Sequence, residues 1–400
     1  MTRVAEWTRA TADALWAALD LEIPEAIELR HALHREPDGS GDESRTAQRV
    51  AAAIGAGPGT EVRGARLIRI GGEGPTVGLR AELDALPMRD DTGAQWASTN
   101  AFTHACGHDV HMAALAACIR AISAVGPVLP VLAVLQPREE AIPSGAADLV
   151  DAQAFAGEDV RAIVGVHVQP RIPGGTYSAL PGAVNASADE FDIRISAFGG
   201  HAGYPHVTGD PVVATAYLIT ALQTLVSRRI DPLHPATLTI GSVHAGEAPN
   251  VIPDSAFISG TLRAFDEADR QLLQQEVARM ADSIAALHRC TAETQVRIGE
   301  PPLINDPSLT RLVDSWIDDT GTLGSVELRS CGADDFAYYG SLFPSTMVFY
   351  GIGDATPDSP GLHHPRFLPS DDDVAGVARC QLAGYLAACE MVLGPLKEGT

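Results

Sequence analysis

Four short apolar runs, at residues 76–83, 131–135, 163–168 and 346–351, each end on or beside side chains that can bind a metal or move a proton. The first holds Glu82 and precedes Asp84, the second is followed by Glu139 and Glu140, the third contains His167, and the fourth is followed by His363 and His364. Runs this short, punctuated by glycine and separated by helical spacing, read as buried strands of an α/β layer. In an open sheet of that kind the crevice lies beyond the carboxyl ends of the strands, so groups distant in sequence meet there. One carboxylate after a strand is most often a solvated loop charge. Four such endings together predict both a fold and the place of its chemistry.

The rest of the chain fits that frame. Helical spacing covers residues 10–35, with a break expected at Pro24 and an end before Pro37, and then residues 44–54. The Ala-rich stretch 109–125 suits a helix packed on a sheet. From about residue 188 the pattern changes: Phe191, Ile193 and Ile195 alternate with Asp192, Arg194 and Ser196, the period of a half-exposed strand. A helix at 210–228 opened by Asp-Pro, strands at 237–243 and 256–265, a helix at 266–288 and a strand at 294–298 complete a βαββαβ order. That order is the ferredoxin-like split unit, which can be inserted whole. The α/β character resumes with a helix at 307–320. The expectation is therefore an α/β domain with a mixed, mostly parallel sheet flanked by helices, spanning residues 1–184 and 299–400, with a ferredoxin-like module inserted at 185–298.

Charge narrows the partners. The chain of 400 residues has 28 Lys and Arg against 51 Asp and Glu, a formal charge of −23 whose field repels nucleic acid and anionic membranes alike. No run approaches the ~18 apolar residues of a membrane span, and a soluble cytoplasmic protein is expected. The six cysteines have no repeating spacing and no CxxC, so they read mostly as buried thiols. A Gly-x-Ser-x-Gly elbow, a P-loop and a dinucleotide-binding glycine motif are all absent.

The densest cluster of chemistry is His104-Ala-Cys106-Gly-His108-Asp-Val-His111, where Cys106 and His108 can offer sulfur and imidazole nitrogen to one ion. Such a stretch can equally be a surface or capping feature. Glu139 and Glu140 sharpen the case, since adjacent loop carboxylates can divide the work, one coordinating and one taking a proton from water. Within the inserted module, His201 lies among Gly199, Gly200 and Gly203, Asn250 precedes Val-Ile-Pro, and Arg263 follows Gly-Thr-Leu. Each is unremarkable alone. A rival chemistry makes Cys106 a thiol nucleophile paired with His108 or His167. It leaves Glu139, Glu140 and the carboxyl-terminal histidines without roles.

Leu79-Arg-Ala-Glu-Leu-Asp-Ala-Leu-Pro87, His104-Ala-Cys-Gly-His-Asp109, Gln136-Pro-Arg-Glu-Glu140, Gly165-Val-His-Val168, Gly199-Gly-His-Ala202, Asn250-Val-Ile-Pro253 and Leu362-His-His-Pro365 together resemble the M20 metallopeptidase family. The nearer likeness is to its amidohydrolase branch of N-acyl-amino-acid, hippurate and auxin-conjugate hydrolases. The resemblance implies two divalent metal ions, zinc or manganese first and cobalt or nickel next, on Cys106, His108, Glu140, His167 and His363. It implies Glu139 as general base and acid, and Asp84 as a supporting contact behind the metal ligands. His201 would polarise the scissile carbonyl with Asn250, and Arg263 would bind the substrate carboxylate, in their own subunit or a neighbouring one. It also implies that the inserted module is a lid that forms a homodimer. The expected reaction is hydrolysis of a small N-acyl amino acid to a carboxylic acid and a free amino acid by metal-activated water. Deacetylation of an N-acetylated diamino acid, or binding of acylated amino acids without hydrolysis, are the alternatives. Glu82 stands where the family pattern usually has Asp, which predicts a lengthened contact. Ala141-Ile-Pro-Ser-Gly145 replaces a glycine run, and His34-Arg-Glu-Pro37-Asp-Gly39 departs from the usual Pro-Glu.

Overall fold

The computed structural model describes residues 5–354, 356 and 359–396, and their contacts divide the chain into two units. The first runs to Gly182 and takes in Ile304–Leu328 and the chain from Tyr338. Its sheet has eight strands in the order Thr60–Val62, Ala65–Ile70, Val131–Gln136, Thr76–Glu82, Val160–Pro173, Ser345–Gly353, Thr176–Ser178 and Gly324–Ser325. The middle four are mutually parallel, and antiparallel pairings flank them on both sides. Val131–Gln136 and Thr76–Glu82 are buried along their whole length, which is why they read as continuous apolar runs rather than alternating ones. Parallel central strands deliver their carboxyl ends to one edge, and the chemistry gathers there.

Helix His108–Val125 is buried on almost every side, as its Ala-rich sequence requires. Helix Arg9–Arg35 passes through Pro24 without ending, contrary to the expected break. The proline forfeits one backbone hydrogen bond, but Ala12, Leu15, Leu19, Ala26 and Leu33 bury one stripe on both sides of it. At roughly 1.5–3 kcal/mol for each large buried side chain, that packing outweighs the loss. Helix Asp372–Leu393 has no counterpart in the sequence reading. Val374, Val377, Leu382, Tyr385, Leu386 and Cys389 bury different sides of it, so there is no polar face to reveal its period.

The second unit comprises Ala183–Leu303 and Arg329–Ala337. Four antiparallel strands lie in the order Ala236–Ala245, Ser255–Ala264, Asp189–Ser196 and Thr291–Arg297, with helices Pro211–Arg229 and Glu267–Leu287 connecting them as in the ferredoxin-like split unit. Phe191, Ile193 and Ile195 supply the buried face of the Asp189–Ser196 strand, the alternate residues the wetter one. Asp210 and Asp266 cap the two helices, each accepting two backbone N–H groups. The segment Arg329–Ala337 joins this unit rather than the surrounding sequence because Ser330 exchanges backbone bonds with Val184 and Ala186, at 2.9 and 3.1 Å. No helix among the described residues is long and apolar enough to cross a membrane.

Candidate metal centre and active site

Just beyond the Thr76–Glu82 strand, Asp84 is buried and works as an anchor. Its Oδ1 accepts the Glu139 N–H at 3.2 Å, its Oδ2 accepts the Glu140 N–H at 2.9 Å, and Ser40 Oγ donates to Oδ2 at 2.6 Å. Burial would raise this carboxyl, but His108, Ser40 and the Glu140 N–H hold it down at about 2. The strand ends thus position both glutamates through their backbone.

Cys106 and His108 flank Gly107, which has φ 86° and where a Cβ would lie 2.4 Å from Val168 Cγ2. Only glycine fits there. His108 opens its helix and donates from Nδ1 to the Asp84 carbonyl at 2.8 Å, leaving Nε2 for another partner. That Nε2 is buried and has no hydrogen-bond partner among the described residues. His167 donates from Nδ1 to the Val168 carbonyl at 2.7 Å, and its Nε2 lies 3.5 Å from Cys106 Sγ. The ligand atoms of Cys106, His108 and Glu140 are all within 4.8 Å of one another. His363, held at φ 62° by its N–H on the Ala105 carbonyl at 2.8 Å, brings Nε2 to 3.1 Å from Glu140 Oε1. His364 instead accepts the Arg366 N–H on Nδ1 at 3.1 Å. Glu139 Oε2 stands 3.8 Å from His108 Nε2.

The electrostatics call for a cation. Burial together with the Glu140 and Glu139 charges pushes the Cys106 thiol up, so an unassisted thiolate nucleophile is disfavoured there. Burial alone would lower His108, yet Asp84, Glu82 and Glu140 pull it up to about 10. A pocket that raises a buried imidazole so far is short of positive charge. Sulfur, imidazole nitrogen and carboxylate oxygen aimed at one point, with an orphaned buried nitrogen among them, fit a divalent ion of borderline softness.

Several residues with no assigned role complete the surroundings. His111 donates from Nδ1 to Glu82 Oε2 at 2.9 Å and accepts the Val168 N–H on Nε2 at 3.0 Å. Burial keeps it neutral, down at about 4, despite the Glu82 carboxylate. The Glu82 contact has ordinary hydrogen-bond length, not a stretched one. Glu82 also pairs with Arg80, whose Nε donates to Gln136 Oε1 at 2.9 Å. Asp109, next to His108, accepts from His34 Nδ1 at 3.0 Å and Arg30 Nε at 3.2 Å, tying the start of the His108–Val125 helix to the Arg9–Arg35 helix. An Arg and a His one helical turn apart, at residues 30 and 34 on the apolar stripe of that helix, are the signal in the sequence that could have found the tie.

In the second unit, His201 pairs with Val251 in a short antiparallel ladder, and the Ala202 N–H meets the Asn250 carbonyl at 3.1 Å. His201 and Asn250 are therefore neighbours. His201 Nδ1 accepts the Gly203 N–H at 2.9 Å, so its exposed Nε2 carries the proton as a donor. Arg263 lies on the Ser255–Ala264 strand opposite Thr237 and donates from Nη1 to the Cys331 carbonyl at 3.2 Å.

A family model, curated relatives and solved structures resemble this chain. The model of peptidase family M20/M25/M40 matches residues 78–382. An N-acetyl-L-cysteine deacetylase of Bacillus subtilis is 34% identical over 351 residues, covering 85% of this chain and 82% of that one. An N-acetyldiaminopimelate deacetylase of Pediococcus pentosaceus is 32% identical over 367 residues, 88% of this chain and 94% of its own. Among solved structures, the Bacillus subtilis YxeP protein, described as a dinuclear metal binding peptidase from the M20 family, superimposes with a TM-score of 0.77 at 28% identity, covering 92% of this chain and 98% of that one.

Proposed function

The chain belongs to peptidase family M20/M25/M40, and from that premise we propose that it is a metal-dependent amidohydrolase cleaving N-acyl amino acids to a carboxylic acid and a free amino acid. The observation that carries the reading is the convergence of Cys106, His108 and Glu140, with Glu139 beside them, past the ends of parallel strands. Cys106, His108, Glu140, His167 and His363 are assigned to two divalent ions, with zinc or manganese preferred over cobalt or nickel. Such ions, when bound, supply Lewis acidity and let water ionise near neutral pH.

Glu139 takes the proton of the attacking water and returns it to the departing amine nitrogen. Asp84 fixes the Glu139 and Glu140 backbone, so the carboxylate that moves the proton does not have to find its place. The His201 Nε2–H, with Asn250 next to it, is suited to donate to the scissile carbonyl as negative charge develops there. Arg263 offers a planar fork for the carboxylate of the amino acid.

The preferred substrate is an N-acetyl or aromatic N-acyl amino acid. The N-acetyl-L-cysteine deacetylase among the relatives supports a small acyl group. Deacetylation of an N-acetylated diamino acid is the second reading, favoured by the relative acting on N-acetyldiaminopimelate. Assembly as a homodimer through the second unit completes the proposal, supported by the edge strand Ala236–Ala245 and the exposed Val213, Tyr217 and Val243. The six free cysteines suit a reducing, cytoplasmic setting.

The test is amine release from a panel of N-acyl amino acids with added Mn²⁺ or Zn²⁺, read with ninhydrin. Chelator should abolish release, and Glu139→Gln should keep metal while turnover falls by roughly 10²–10⁴. Binding without release from any panel member would instead favour a non-hydrolytic binding protein.

A further inference from the structure

Arg138, immediately before Glu139 and Glu140, adopts φ 52°, one of five non-glycine residues in the left-handed region among those described. A long β-carbon-bearing side chain does not hold that conformation without help. Its carbonyl accepts the Gly145 N–H at 3.0 Å, and there is no slack on that side, because a Cβ at Gly145 would lie 1.7 Å from the Pro137 carbonyl oxygen. Its N–H points the other way, to Glu43 Oε1 at 2.9 Å. The same oxygen accepts the Gly41 N–H at 2.8 Å.

Glu43 is 4% exposed and directly precedes helix Ser44–Ile54, yet its side chain makes no capping bond to that helix. Three successive backbone N–H groups, of Arg138, Glu139 and Glu140, thus land on buried carboxylates, the first on Glu43 and the next two on Asp84. Ser40, three residues before Glu43, closes the arrangement by donating to Asp84. The loop at residues 40–43 therefore grips both the strained residue and the anchor behind the two glutamates.

We propose that Glu43 is a positioning residue for catalysis: by accepting the Arg138 N–H it holds the left-handed turn that aims Glu139 at the reacting water. Its side chain holds the Arg138 and Gly41 N–H groups, and it acts through the backbone of the glutamate loop. Without its oxygen the half-buried Arg138 N–H loses its partner, the turn loses the bond that opposes its strain, and the Glu139 carboxylate drifts. An ångström of drift in a positioned catalytic group is enough to cost about 10²-fold in rate.

The inference rests on Glu139 as the general base, so Glu139→Gln is measured alongside it. If Glu139→Gln turns over normally, that reading of the function fails, whatever Glu43 does. With the full-length, metal-loaded protein, Glu43→Ala should lower kcat roughly 10–100-fold while KM and metal content stay near wild type. Glu43→Gln keeps a carbonyl oxygen for the same two N–H groups and should restore kcat to within about threefold. A wild-type kcat in Glu43→Ala overturns the proposal. If Glu43→Ala does not fold, Glu43→Gln decides alone, since a tenfold loss with metal intact would mean that charge matters rather than the held turn.

Discussion

The His111 ring is 4.7 Å from that of His167 and 5.6 Å from that of His108, close enough to be mistaken for a further imidazole ligand. What excludes it is that both of its nitrogens are already committed, to Glu82 and to the Val168 N–H. Cys106 instead meets other assigned ligands, His167 Nε2 at 3.5 Å and the Glu140 carboxylate. The two residues should therefore respond differently to substitution. Cys106→Ala is expected to lower the metal-to-protein ratio of dialysed protein, measured by elemental analysis. His111→Gln should keep the wild-type ratio at saturating metal but weaken affinity roughly 10–100-fold in competition with a chelating dye, as outer-shell changes do. A ratio lost in His111→Gln would place that imidazole among the ligands. At this scale the residue types were legible in the sequence: thiol, imidazoles and paired carboxylates stand in a recognisable order. Which histidine binds and which braces was not, because it depends on hydrogen bonds to backbone groups as far away as Val168. His363 likewise differs from His364 in a way no sequence shows: the Ala105 carbonyl holds residue 363 in its left-handed turn.

Elements with a polar face or a capping residue announced themselves, but of the two helices buried nearly all round, His108–Val125 was legible in the sequence and Asp372–Leu393 was not. Asp-Pro at 210–211 and at 306–307 each open a helix whose first N–H groups the Asp accepts, a local signal independent of the rest of the fold. Helix Asp372–Leu393 is the opposite case. It is defined by what it packs against, and Gly376 and Gly384 show how tightly: a Cβ at 384 would stand 2.6 Å from Val164 Cγ1 in the sheet, and one at 376 would stand 2.1 Å from the Tyr350 ring. On propensity alone Gly384→Ala should stabilise the helix by up to ~1 kcal/mol. The contact reverses that sign, because Val164 is itself fully buried and cannot retreat. A net destabilisation of about 1–3 kcal/mol is expected from thermal or denaturant melts, and a stabilised variant would show that helix and sheet can separate at little cost.

Over the whole molecule, each of the two units has a hydrophobic core of its own, and the second unit has a pH dependence of its own. Asp189 accepts Arg270 Nε at 2.8 Å and Nη2 at 2.7 Å, Gln274 Nε2 at 2.8 Å and the Gly299 N–H at 3.0 Å, all in the interior of that unit. Burial raises the Asp189 carboxyl, but these bonds overcome it and leave it below its ordinary value of 3.8. A carboxyl lowered by folding contributes its full stability above the unfolded value and loses it as pH falls through the folded one. The difference in melting temperature between wild type and Asp189→Asn should be constant from about pH 5 to 7 and shrink below about pH 4. Near neutrality the substitution should cost about 3 kcal/mol, the scale of removing one charge of a buried pair, although Arg270 keeps Glu267 and the Gly299 carbonyl. A difference that persists unchanged at pH 3 would mean that packing, not charge, sets the effect.

From sequence alone came the α/β class, the inserted βαββαβ order and the residues able to bind an ion, because each depends on local period or on chemical identity. Only the tertiary structure decided which nitrogens remain available, why Glu82 reaches His111, how Glu43 grips Arg138, and that residues 329–337 belong with the second unit. Those outcomes are set by contacts between segments remote along the chain, where a shift of an ångström makes or breaks a hydrogen bond, and no periodicity within any one segment records them.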